Sequence, residues 1–163
     1  MSLIIGTGPG NDSKMSDEKL KAYKHFANKI WNISRFVFEN TQEEKRLENF
    51  KDYTEADEIL NKEQQELFAD VTKDLEEFRF YLAGEKLYHY AWHRFADIIL
   101  EDSKKIFESG DVKKVTSRKQ FLLHSLRKII ISLHPFMPYI TEEIWSTIPD
   151  SKNLLIIEPW IIK

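Results

Sequence analysis

The sequence predicts an all-α fold, an antiparallel four-helix bundle with a short fifth helix and an irregular C-terminal tail. Three observations lead there. Apolar residues recur at spacings of three and four over four long stretches. The connections between those stretches are short to medium, which suits antiparallel neighbours. Only five glycines and five prolines interrupt the 163 residues, so neither a loop-dominated nor a collagen-like fold is expected. A chain of this length is one ordinary domain, able to bury roughly two-thirds of its unfolded surface.

Residues 1–15 read as a linker, because Gly6-Thr7-Gly8-Pro9-Gly10-Asn11-Asp12 is dense in turn formers. Met1-Ser2-Leu3 reads as an expression scar, and the domain proper is 16–163. The first helix starts after Ser16, an N-cap followed by Asp17 and Glu18, and places Leu20, Tyr23, Ala27, Ile30, Ser34 and Val37 three and four apart. A polar stretch from Thr41 to Thr54 precedes a second helix with Leu60, Leu67, Phe68, Val71, Leu75 and Phe78 on one side and acid on the other. A break around Phe80 to Gly84 leads to a third helix, its apolar face formed by Tyr88, Ala91, Trp92, Phe95 and Ile99, ending near Glu108. The fourth starts at Thr116 or Ser117 and stops at His134, since Pro135 disfavours helix in the residue before it. Pro138 opens a short fifth helix to Trp145, and the apolar run Leu154 to Ile157 suits a tail docked on the bundle.

Composition narrows the function classes. With no cysteine there is no disulfide framework and no thiolate chemistry, which fits a reducing, cytoplasmic location. The run Leu3 to Ile5 is too short for a signal peptide or a membrane span. A net charge of −3 excludes coating nucleic acid through global charge, so phosphate contact needs a local cluster. Lys113, Lys114, Arg118, Lys119, Arg127 and Lys128 lie in a stretch without a carboxylate, while acid dominates from Glu55 to Phe78, and the domain is expected to show charge polarity.

The first helix carries the candidate site. At about 100° per residue, Leu20, Tyr23, Ala27, Ile30, Trp31, Ser34, Val37 and Phe38 share one face, and His25, Asn28, Lys29, Asn32, Arg35 and Glu39 the other. Phe36 falls among the polar residues. Either it covers a flanking loop at Phe50 or Tyr53, or it widens the apolar face together with Ile33, or it is a base-stacking platform. The last reading is chemically specific: an exposed ring flanked by Lys29 and Arg35 offers a π-face plus cations for neighbouring phosphates, while Asn28 and Asn32 can read base edges.

Asn28-Lys29-Ile30-Trp31-Asn32-Ile33-Ser34-Arg35-Phe36-Val37 resembles the first bundle helix of valyl-tRNA synthetases, and Gly6 to Asp12 resembles their junction between catalytic domain and bundle. The likeness continues through Phe78-Arg79-Phe80, Leu87-Tyr88, Trp92, Phe95 and Asp97 to the block from Leu133-His134-Pro135-Phe136-Met137-Pro138 to Trp145. That last block is shared in character with the leucyl, isoleucyl and methionyl relatives. The resemblance implies an anticodon-binding domain in which Lys29, Arg35 and Phe36 contact the anticodon, Phe36 by stacking. It also implies a parent enzyme that joins valine to its transfer RNA using ATP and magnesium, with no cofactor in this part. The partners it implies are the anticodon stem-loop and the parent's catalytic domain; a monomer and no membrane contact are expected. Two departures stand out: Glu18 where some members have a basic residue, and Ile161-Ile162 after Trp160 where a proline is usual.

Other motifs carry less. Lys14-Met15-Ser16 resembles an adenylate-forming loop, but Asp17-Glu18 follow, and Ser16 suffices as a cap. No H-x-G-H signature is present, so the chain alone is expected to be inactive. Gly6, Gly8 and Gly10 complete no phosphate-loop pattern. His89 and His93 are spaced as metal ligands would be, yet Tyr90 stands where the zinc-protease pattern needs glutamate. Glu142 and Glu143 read as helix-terminus charges. The alternatives are the anticodon-binding domain of a sister synthetase, a helical protein-interaction module marked by an exposed apolar groove, and an all-α metal enzyme built on His89 and His93.

Overall fold

The computed structural model describes residues 1, 4–5, 16–42, 47, 49–148, 151 and 153–161. The glycine-rich junction, Lys14-Met15 and Ile162 lie outside them. Among the described residues the chain is all-α: α1 (Asp17–Thr41), α2 (Glu55–Glu76), α3 (Phe80–His89), a π-helical segment (Tyr90–Leu100), α4 (Glu101–Glu108), α5 (Val112–Leu133) and α6 (Pro138–Ser146). A single 3₁₀ turn, Leu155–Ile157, follows in the tail.

Side-chain caps start three of these helices. The backbone N–H of Lys19 donates to Ser16 Oγ, as the sequence predicts, that of Asp57 to Thr54 Oγ1, and that of Lys114 to Asp111 Oδ1. The Asp111 cap starts α5 about a turn earlier than the expected Thr116 or Ser117. α6 runs from Pro138 past Trp145 as expected, with the proline in its first turn.

α3, the π segment and α4 form one rod, since the backbone stays right-handed helical at both joins. Its buried stripe explains the π turns. Ala83, Leu87, Ala91, Phe95, Ile99 and Ser103 recur every four residues, each no more than 2% exposed. In an α-helix a four-residue step overshoots a full turn by about 40°, so the stripe would spiral away from the core. The wider π turns undershoot and bring it back.

The expected break at Phe80 to Gly84 falls instead at residues 77–79. Gly84 lies inside α3, buried, where an added Cβ would meet Ile5 Cγ1 at 2.9 Å and Phe136 Cε1 at 3.2 Å. Phe78, expected on the apolar side of the second helix, is 79% exposed and left-handed, with φ of 59°. The turn is held by Arg79, whose Nε and Nη2 donate to Asp74 Oδ1 at 2.9 and 2.7 Å, and by Lys86 Nζ, 2.7 Å from Asp74 Oδ2. Burial alone would raise the Asp74 carboxyl, but hydrogen bonds and charge from Lys86 and Arg79 outweigh it and hold the group below its ordinary value. A carboxyl depressed on folding stabilises the native state above its unfolded pKa near 3.8 and loses that contribution as pH falls through the folded value. Asp74→Asn should therefore destabilise the domain at neutral pH, and its deficit relative to wild type should shrink below about pH 3.8, as denaturation midpoints at successive pH values will report.

Cross-links order the helices. Glu63–Arg94, Asp70–Lys86 and Asp74–Arg79 step in opposite directions along α2 and the rod, which are antiparallel. Lys29–Asp97 and Phe36–Lys104 step together along α1 and the rod, which run parallel. α5 packs on α1, α2, the rod and α6, and its Phe121, Leu122, Leu126, Ile129 and Ile130 occupy the middle of the core.

The tail docks despite the departure after Trp160. Trp145 Nε1 donates to the Asn153 carbonyl, Leu155 is buried, Arg127 pairs with Glu158 at 2.7 Å, and Trp160 Nε1 donates to Thr72 Oγ1 at 2.8 Å. Within the expected linker, Met1 donates to the Phe136 carbonyl and Ile5 is 7% exposed, so these two residues pack on the bundle.

Candidate nucleic-acid interface

Burial on α1 is centred on Phe26, Ile30, Ile33 and Val37, with Ser34 and Thr41 beside them. That is a rotation of roughly 60° from the expected face. Leu20 and Trp31, expected in the core, are 44% and 41% exposed. Phe36, expected to stand free among polar residues, lies at the other edge, partly buried and packed against the core, with Lys104 Nζ 5.8 Å from its ring centre. The wide apolar face with Ile33 is therefore the local reason for its position. Apolar residues fill three sides of α1 so thinly that periodicity alone could not fix which edge was wet.

The rotation turns the Asn28, Lys29 and Asn32 edge of α1 toward the rod. Asn28, Asn32 and His25 are exposed and, with Tyr88 and Trp92, line an open groove of about 470 Å³. Lys29 Nζ crosses it, 2.9 Å from Asp97 Oδ1 and 5.6 Å from the Trp92 ring centre. The Lys29 hydrogen bond, first among its causes, holds the Asp97 carboxyl below its ordinary value. Arg35 lies a turn beyond the groove and is 65% exposed; its contact with Glu39 is a long 3.7 Å pair on the same helix, which costs little to open. Four of the five expected residues thus form one polar flank, exposed except at the half-buried Lys29, and Phe36 borders it as a partly covered ring.

The basic stretch of α5 is largely consumed by the fold. Arg118 is buried, Arg127 lies 4.2 Å from the Trp145 ring centre and pairs with Glu158, and burial lowers the Lys128 ammonium below its ordinary value. Lys113 and Lys114 remain exposed, the latter paired with Asp111.

Tyr88, Trp92 and His25 escaped the sequence reading as site residues. Tyr88 and Trp92 belong to the apolar stripe of the third helix by spacing, and only the packing of α1 reveals that they floor a groove. A second open groove, about 580 Å³, lies between α2 and the rod, with Leu67, Leu82 and Ile98 among its walls. His93 Nδ1 is 3.6 Å from Asp97 Oδ2 and its ring lies 5.5 Å from that of His89. No group of three or more metal-ligating side chains occurs among the described residues, and no helix there is long and apolar enough to cross a membrane.

The all-α bundle carries a polar flank beside aromatic rings, and the chain belongs to the family of anticodon-binding domains of tRNA ligases, whose model matches residues 57–162. α1 precedes that match. Whole-chain likeness includes it: the chain is 34% identical to the valine–tRNA ligase of Clostridium tetani over 97% of its length, and 36% identical to that of Geobacillus kaustophilus over 97%. With the valine–tRNA ligase of Dehalococcoides mccartyi it shares 39% identity over 89%. The chain spans 16–18% of the length of these relatives.

Proposed function

We propose that this chain holds the anticodon stem-loop of valine transfer RNA for a parent valine–tRNA ligase, through the flank of α1 formed by Asn28, Lys29, Asn32, Arg35 and Phe36. The observation that carries this reading is the convergence on one exposed flank of two cations, two amides and aromatic rings, the groups an unpaired loop of RNA needs. Lys29 and Arg35 contact phosphates or base edges, Asn28 and Asn32 offer both donor and acceptor to bases, and Phe36 stacks on a base through the part of its ring that the core leaves uncovered. Glu18 removes one cation from the start of the helix.

The parent's reaction, with ATP and magnesium, belongs to the catalytic part outside this chain, which anchors the bundle so that the acceptor end reaches the reacting groups. The domain acts as a monomer in the cytoplasm. Protein docking is the second reading, favoured by the groove between α2 and the rod, and RNA binding separates the two.

Arg35→Ala supplies the test. The side chain is 65% exposed, so stability should stay within about 0.5 kcal/mol. Affinity for an RNA hairpin bearing the valine anticodon loop should fall, and the slope of log K against log salt should flatten by about 0.7–1, one phosphate contact. Unchanged affinity and slope would remove Arg35, and with it this flank, from the interface.

A further inference from the structure

We propose that Trp92, flanked by Tyr88, is a stacking surface for one unpaired RNA base, received in the groove between α1 and the rod. The proposal rests on the RNA-binding reading and extends it to residues of the π segment and α3.

Four observations converge on Trp92. Its ring is fixed from the core side by Phe26, 6.0 Å away between centres and only 13° from parallel, so it behaves as a rigid platform. Tyr88 extends the aromatic floor, 5.6 Å from Trp92 and tilted by 35°. The groove above them, about 470 Å³, has room for a base and part of its ribose. Its rim carries the exposed amides of Asn28 and Asn32, which donate and accept at base edges as a loop's unpaired bases require.

Lys29 fits this role. Its ammonium lies 5.6 Å from the Trp92 ring centre and is held on Asp97, covering the aromatic surface as a cation–π partner. An entering base takes that place on the ring and brings its own phosphate, to which the ammonium swings while Asp97 keeps it at the rim. Phe36 is less open to such stacking, being packed against the core with Lys104 beside its ring. The π turns matter here: they keep Ala91, Phe95 and Ile99 buried while Trp92 stays at the groove.

The test uses the full chain and hairpins bearing the valine anticodon loop, with 2-aminopurine placed at one loop position at a time. One position should be quenched on binding. Trp92→Leu should abolish that quench and weaken binding roughly 5- to 150-fold, the range for losing one stacked base. Because Trp92 also packs on Phe26, a second variant guards against misfolding: Ala22→Leu fills the exposed mouth of the groove without touching the core, and should weaken binding and the same quench. Hairpin binding with neither affinity nor quench altered in the folded variants overturns the Trp92 site and leaves the anticodon reading standing. Failure of the unaltered chain to bind any hairpin overturns both.

Discussion

Arg118→Met should destabilise the domain by about 3–5 kcal/mol, read as a fall in the denaturant midpoint. Arg118 and Asp57 are each 2% exposed, and Nε donates to Asp57 Oδ1 at 2.6 Å. The guanidinium also reaches Asp102 Oδ2 and Ser103 Oγ, both at 3.1 Å, so it ties α2, α4 and α5 together. Methionine fills most of the volume but strands the Asp57 carboxylate in the interior, with the Thr54 and Ser117 hydroxyls as its remaining donors among the described residues. The loss is mainly the cost of that uncompensated charge. Adding Asp57→Leu should recover part of it, because two apolar groups replace two charges. Full recovery is not expected, since Asp57 also organises the Thr54 cap.

Trp145→Ala should cost a similar amount, about 3–5 kcal/mol, through cavity formation. Trp145 is 1% exposed, and its ring carries the Arg127 guanidinium at 4.2 Å. A second effect sets this variant apart from an ordinary core deletion. The indole N–H donates to the Asn153 carbonyl, and Arg127 also pairs with Glu158, so two of the tail's anchors pass through this ring. Limited proteolysis should cut the variant near 153–161 before the bundle yields. A fall in stability with the tail still protected would assign the tail's docking to Leu155 and Trp160 instead.

Much of the fold was legible because its signals are local. The Ser16 cap, the stop before Pro135 and the start at Pro138 depend on residues within a turn of one another. The misses depend on distant contacts. Phe78 reads as the last apolar residue of a helical stripe, and only the Asp74–Arg79–Lys86 cluster reverses the chain before it. The third helix reads from Tyr88 to Ile99 as an ordinary α-helical face, whereas the buried stripe from Ala83 to Ser103 steps by four and would drift on an α-helix without π turns. For the site, Asn28, Lys29, Asn32 and Arg35 were legible as the polar flank of one helix. Trp92 and Tyr88 were not, since their part in the groove is decided by where α1 lies against the rod. The run of cations in α5 was equally legible, but not its use: neighbouring carboxylates and rings from α2, α4, α6 and the tail absorb the charge of Arg118 and Arg127.

The anticodon reading is tested most directly by titrating the chain with two RNA hairpins identical except in the anticodon, one for valine and one altered, at several salt concentrations. The valine hairpin should bind more tightly at every salt, with affinity falling linearly in log–log form as phosphate contacts release counterions. Equal affinity for the two hairpins, or binding indifferent to salt, would contradict it.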